Sequence, residues 1–395
     1  MMHAHTLTVR SIISALSLAL VLSGGMPGIF GAKTAYGQQL PGAHSLRLEV
    51  PGVGNIIVRP VSGAEDEGLS QLLLEKPGGS RHVLASLEAL DFVTLLKGDL
   101  DGDQNPEVIA IARNRGGDEL MPYIFGGSGD LKQIFPPGDE GNPLIGKEIS
   151  LAPGPQGLSL VIKVPVNFHD FGPPDLYNLE YYRLHGEKLE KVGEKLQEGT
   201  HFNQKLNMAG YAFSKNNYLE ALKEYEAVIA SDGARMPAAA RAEAFFAQAE
   251  CRKIMKDFVG AAALYQKVVD EFPEAPQQLE AKRESVFLKA NLAASQTLSL
   301  YIDVSQLNRL GQSAAALELL DKSKAIATDG PLSDHLAFLR GEILIALGRI
   351  EDAVKFLQGF RKRFPASILR DRVEATLQDL QGKPDEDHGD ETLDR

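Results

Sequence analysis

Between residues 203 and 365 one pattern recurs four times: an aromatic, small or, in the last copy, aliphatic residue, then Ala three positions on, then a large apolar residue four positions later. The copies are Tyr218-Ala221-Tyr225, Phe258-Ala261-Tyr265, Ser313-Ala316-Leu320 and Ile350-Ala353-Leu357. Spacings of three and four put the three side chains on one face of a helix. A small residue held between large ones marks a place where two helices cross closely, because a larger side chain would hold them apart. The alanines lie 40, 55 and 37 residues apart, room for one helical hairpin per copy. A single hairpin cannot bury its own apolar face, so the segment must stack into an array.

Two copies close with Phe272-Pro273 and Phe364-Pro365, where proline stops the second helix. A small residue precedes the signature alanine by twelve positions in copy one (Ala209), copy two (Ala249) and copy four (Gly341). Copy three departs from this, with Val304. The pattern resembles the tetratricopeptide repeat, whose period is roughly 34 residues. That resemblance implies an all-α solenoid over residues 200–382, with a concave surface lined by the first helix of each hairpin and used to bind a protein or peptide. The family's groove positions fall on Asn203 in copy one, on Glu243, Glu250 and Lys253 in copy two, and on His335 and Glu342 in copy four. So acidic a lining favours a ligand with basic character. Residues 278–300 predict an extra or lengthened helix, which accounts for the 55-residue gap. The Phe-Pro ends and long repeats look like those of periplasmic repeat proteins that serve outer-membrane assembly or the Tol–Pal system.

Residues 1–37 read as an export signal: Arg10 gives a positive start, residues 11–23 an apolar stretch, and Ala35-Tyr36-Gly37 small residues at a cleavage point. The apolar stretch is too short for a bilayer core of roughly 30 Å, and Gly24, Gly25 and Pro27 prevent it from continuing as a longer apolar helix. No Cys directly follows it to carry a lipid. An exported, periplasmic or envelope-associated protein is expected. At the other end, residues 383–395 form an acidic tail without apolar periodicity, for which disorder is expected.

Residues 38–195 change character, with dense Gly and Pro and short apolar alternations such as Leu46-Arg47-Leu48-Glu49-Val50. Three hairpins are marked by their turns: residues 72–84 around Pro77-Gly78-Gly79-Ser80, residues 123–135 around Gly126-Gly127-Ser128-Gly129, and residues 179–192 around His185-Gly186-Glu187. Their spacing is near that of propeller blades. A closed propeller takes at least about four blades, so either one unit lacks a readable turn or the domain is open. The open form is expected. The architecture is therefore a multidomain β + α chain: a partial propeller-like β domain, then a helical solenoid.

One loop in the β domain carries a distinct chemistry. Asp99, Asp101, Asp103 and Glu107 occupy positions one, three, five and nine of a segment that turns at Gly102 and runs into Val108-Ile109-Ala110-Ile111-Ala112. Carboxylates so spaced converge on a hard cation, and Ca²⁺ takes six to eight oxygens. An EF-hand is excluded, since position twelve is Ala110 and the glycine comes at position four. The loop resembles the calcium loops of FG-GAP or VCBS-type repeats, which implies a structural Ca²⁺. Without an ion, the same residues make an acidic turn that solvates a hairpin.

Little else points to catalysis. His169-Asp170 lies between Phe168 and Phe171 in residues 165–176, an expected exposed Pro/Gly loop, and no nucleophile motif or second histidine accompanies it. The single Cys, Cys251, is expected as a small buried hydrophobe. A formal charge of −12, more negative still without Arg10 and Lys33 of the leader, argues against nucleic acid. The expected function is a non-enzymatic exported scaffold. The alternative is a calcium-dependent carbohydrate or adhesion module with the repeats as a spacer, against which stands the absence of Trp.

Overall fold

The computed structural model describes residues 46–60, 69–88, 90–115, 117–127, 130–137, 142–154, 157–324 and 330–381. The expected leader (1–37) and acidic tail (383–395) lie outside the described residues.

The first half is three four-stranded antiparallel sheets, each a meander in chain order. The first holds β1 (Arg47–Val50), β2 (Gly54–Pro60), β3 (Leu69–Glu75) and β4 (Arg81–Glu88). The second holds β5 (Leu90–Gly98), β6 (Glu107–Asn114), β7 (Leu120–Gly126) and β8 (Lys132–Phe135). The third holds β9 (Glu148–Gly154), β10 (Gly157–Val166), β11 (Leu176–His185) and β12 (Lys188–Leu196). The three turns read from the sequence are the last hairpin of each sheet, β3–β4, β7–β8 and β11–β12.

β6 explains why the sheets stack. Val108, Ala110 and Ala112 join a core with Ile56, Leu72 and Leu74 of the first sheet. Ile109 and Ile111, on the opposite face of the pleat, join Leu160, Ile162 and Leu184 of the third. A strand covered on both faces has no polar side to show, hence its unbroken apolar run. Gly98, which ends β5, lets the third sheet come close: a Cβ there would stand 2.3 Å from Leu158 Cδ2 and 2.9 Å from Leu151 Cδ1.

The second half is helical: α1 (Phe202–Ser214), α2 (Tyr218–Asp232), α3 (Ala238–Ile254), α4 (Phe258–Glu271), α5 (Gln278–Asn291), α6 (Ser295–Arg309), α7 (Ser313–Lys322), α8 (Ser333–Ala346), α9 (Ile350–Gln358), α10 (Phe360–Arg363) and α11 (Arg370–Gln381). Each repeat signature opens the second helix of a hairpin, on α2, α4, α7 and α9. Ala221, Ala261, Ala316 and Ala353 are all fully buried. Each hairpin turns two residues before its second helix through a left-handed residue: Asn216, Lys256, Gly311 and Gly348, with φ of 63°, 70°, 73° and 70°. Copy three forms its hairpin despite Val304, which is fully buried beside Ala316 and Leu320. At the matching position of copy four, Gly341 admits Leu357, whose Cδ2 would lie 2.5 Å from an added Cβ.

The segment responsible for the long gap is an added helix, α5, joined to α6 by a 3₁₀ turn at Leu292–Ala294. α5 packs on α4, and α6 carries Leu298 and Ile302 into the core of α3 and α4. α6 also reaches back to the first repeats. Gln306 Nε2 donates to Tyr218 OH at 3.2 Å, and Lys256 Nζ pairs with Asp303 Oδ1 at 2.5 Å.

Candidate functional site

The sequence marks three places: the Asp-rich loop, the β10–β11 loop, and the first-helix positions of the repeats.

In the Asp-rich loop, between β5 and β6, the carboxylates first fold the loop itself. Asp99 Oδ1 accepts from Gly102 N at 2.6 Å and Oδ2 from Gln104 N at 3.0 Å. Asp101 Oδ1 accepts from Asp103 N, and Asp103 Oδ1 from Asn105 N. Gly102 and Gln104 both take positive φ, 87° and 74°, which turns the chain tightly enough to bring the acids together. Ligand oxygens of Asp99, Asp101 and Glu107 all lie within 4.8 Å of one another. Asp103 stands outside that set, its Oδ2 accepting from Asn105 Nδ2 at 3.0 Å. Glu107 is buried and accepts from Leu100 N at 2.7 Å. Burial pushes its carboxyl up to about 7, with further repulsion from Asp101 and Asp103. Three carboxylates, one of them buried, offer hard oxygen donors that fit a cation such as Ca²⁺, whose charge would offset that repulsion.

The β10–β11 loop is not the free loop that its composition suggests. Residues 167–175 lie against the start of the helical half, and His169 is only 8% exposed. Two asparagines one turn apart on α1 hold its backbone. Asn207 Oδ1 accepts from Phe168 N at 2.6 Å and His169 N at 2.9 Å, while its Nδ2 donates to His169 O at 2.8 Å. Asn203 Nδ2 donates to Gly172 O at 2.6 Å, and its Oδ1 accepts from Phe171 N at 3.3 Å. The His169 ring lies between Glu243 Oε1 of α3 at 2.5 Å and Tyr225 OH of α2 at 2.8 Å. Gly210 makes the approach possible, since a Cβ there would stand 2.6 Å from Phe168 Cβ. Asn203 and Glu243, two of the expected groove residues, are therefore engaged by the chain's own β half. Asn207 and Gly210 were missed. Their trace in the sequence is a pair of asparagines four apart and a glycine within a helical run.

The next groove positions meet other parts of the chain. Lys253 Nζ pairs with Glu250 Oε1 at 2.7 Å and with Glu284 Oε2 of α5 at 3.1 Å, and Tyr265 OH donates to Glu250. Burial alone would lower the Lys253 ammonium, but the two carboxylates outweigh it and hold it above its usual value. Burial likewise raises Glu284. Glu243, Glu250 and Glu284 each keep about a quarter of their side chain exposed (27%, 27% and 28%), so a narrow acidic strip remains in contact with solvent. His335 stacks beside Phe287 of α5 and Tyr301 of α6, at centroid distances of 5.4 and 6.0 Å, and its Nδ1 lies 2.8 Å from Asp334. Glu342 meets Arg372 of α11 at 3.1 Å. The expected open lining is thus partly covered by α5, α6 and α11, helices outside the four-copy pattern or carrying only its weakest copy. Cys251 is fully buried as expected, with its thiol pushed up to about 12 by that burial.

With this geometry in hand, residues 206–276 and 336–367 each match a family model described as tetratricopeptide repeat. The helical half contains tetratricopeptide repeats. The first match spans α1 to α4 and the second spans α8 to α10, the hairpins of copies one, two and four. Among solved structures, the chain is similar to the TPR2AB domain of yeast Sti1 in its pHSP90 complex, at 14% identity and a TM-score of 0.23, over 45% of this chain and 70% of that one. It is similar to the apo form of RapI at 16% identity and a TM-score of 0.22, over 46% and 48%. It is also similar to a putative kinesin light chain of Podosopora anserina with nearly identical TPR-like repeats, at 17% and 0.21, over 47% and 90%. No curated protein matches the chain in sequence.

Proposed function

We propose that this chain is a non-enzymatic scaffold, exported to the bacterial cell envelope, that binds partner proteins or peptides on its tetratricopeptide repeats. The observation that carries the reading is the repeat array itself, matched over residues 206–276 and 336–367. Such arrays present long surfaces built from successive helices, suited to extended ligands. The acidic strip of Glu243, Glu250 and Glu284 supports a partner segment with basic side chains. Export rests on Arg10, the apolar residues 11–23 and the small residues at 35–37. The β sheets act as a second body fixed to the repeats, with a structural Ca²⁺ held by Asp99, Asp101 and Glu107. The sole thiol is buried and of raised pKa, which leaves it a poor nucleophile.

The test is affinity capture from a solubilised envelope fraction with the tagged full chain. Charge reversal at the partly exposed Glu284, outside the His169 contact, runs beside it. Recovery of one dominant protein by the native chain, lost on charge reversal, is expected. Capture of a glycan instead, dependent on calcium and indifferent to that change, would contradict the scaffold.

A further inference from the structure

The contact between the β10–β11 loop and α1–α3 has the form of a bound peptide. Residues 168–172 pass over the first repeat without secondary structure of their own. They are held through main-chain N–H and C=O groups by Asn203 and Asn207, each using both its acceptor and its donor. His169 enters the helical half fully and is read by Glu243 and Tyr225, while Phe171 packs half-buried against the core of α1 to α3. Phe168 packs its Cβ over Gly210 but stays 47% exposed, and Asp170 is exposed. Backbone recognition by side-chain amides, with a single buried anchor, does not require that the ligand belong to the same chain.

We propose that residues 168–174 are a self-ligand of the repeat array, bound across α1, α2 and α3. They occupy its peptide-binding end, and a partner segment of like chemistry docks there only by displacing them. That segment is extended, with a histidine set between aromatic residues. The inference deepens the scaffold reading, on which it rests. It assigns Asn203, Asn207, Tyr225 and Glu243 to one recognition site, and leaves Glu250 and Glu284, further along the acidic strip, as a separate surface. It also sets the size of the barrier. A tethered loop presents itself at an effective concentration on the order of millimolar, so an outside segment competes only when it binds well or when the loop is weakened.

The probe is a fluorescent synthetic peptide with the sequence of residues 165–176, titrated against the full chain and followed by anisotropy. Binding to a His169→Ala chain about tenfold tighter than to the native chain is expected, since the empty anchor pocket then accepts the peptide's own histidine. Adding Asn207→Ala in that background should abolish it. Equal binding to both chains, or none to either, would overturn the proposal and make the contact a fixed strut. Should His169→Ala fail to fold, amide exchange of the native chain decides. Exchange at Phe168, His169 and Phe171 must rise with added peptide, and no rise overturns the proposal. Partner capture by the acidic strip is scored separately, so failure of the self-ligand leaves the scaffold reading intact.

Discussion

His169 and Glu243 meet at 2.5 Å across 74 residues of sequence, and through them a loop of the third sheet is joined to the second repeat. The pair works in either protonation state of the imidazole. Neutral, its Nδ1–H donates to Glu243 while Tyr225 OH donates to Nε2; charged, both ring nitrogens donate. His169→Ala leaves Glu243 and Tyr225 without this partner, and should lower stability by about 2 kcal/mol. Chemical denaturation followed separately by a probe in each half checks this, with loss of coincidence between the two transitions as the sign of uncoupling.

Gly210 sets how close the loop can come. Gly210→Ala gains up to about 1 kcal/mol in helix propensity but forces Phe168 to move. Overpacking of this kind costs about 1–3 kcal/mol, so a net loss is expected. Phe168→Gly in the same chain removes the clashing atoms and should recover most of it. A double-mutant cycle in thermal unfolding measures the coupling, and additive effects would show that the two residues do not touch.

The Asp-rich loop has a definite pH signature. Glu107 is raised to about 7 in the folded chain, above the carboxylate value of the unfolded one. The folded state then holds an extra proton between the two values. Without a cation, stability falls as pH rises from about 4.5 to 7, and Glu107→Gln removes this slope. Ca²⁺ requires the ionised form, so its stabilising effect should grow over the same interval. Melting temperatures with and without Ca²⁺ across that range test both signs.

Lys253 neutralises two partly buried carboxylates. Lys253→Ala should cost about 3 kcal/mol by leaving Glu250 and Glu284 facing each other without a cation. Adding Glu284→Gln should return part of that loss. Equilibrium denaturation of the single and double variants checks the order.

Gly348 takes φ of 70° at the α8–α9 turn, where Asn216 and Lys256 accept the same conformation with side chains. Gly348→Ala should lower stability by about 1 kcal/mol, read as a shift in the denaturation midpoint at constant slope.

The sequence revealed what repeats locally. Ala221, Ala261, Ala316 and Ala353 announced every hairpin because helix crossing demands a small residue within a few positions of fixed partners. The Gly-rich turns at 77–80, 126–129 and 185–187 announced one hairpin per sheet for the same reason. What sequence reading missed was long-range. Nothing near His169 shows that Glu243 lies beside it, and composition alone makes residues 165–176 an exposed loop. Glu250, Lys253 and His335 were read as a groove lining, yet α5 and α6 lie across them, and packing between distant helices leaves no period in the chain. Val304 breaks the small-residue pattern of copy three, yet it is buried with Ala316 and Leu320 and the hairpin forms.

The most direct test of the docked loop is amide hydrogen exchange of the full chain, comparing native protein with Asn207→Ala. Phe168 and His169 donate their amides to Asn207, and Phe171 donates to Asn203. The account predicts protection at all three in the native chain and release in the variant, with the cores of α3 and α4 unchanged. Exchange at Phe168 and His169 in the native chain as fast as in the free peptide would contradict it.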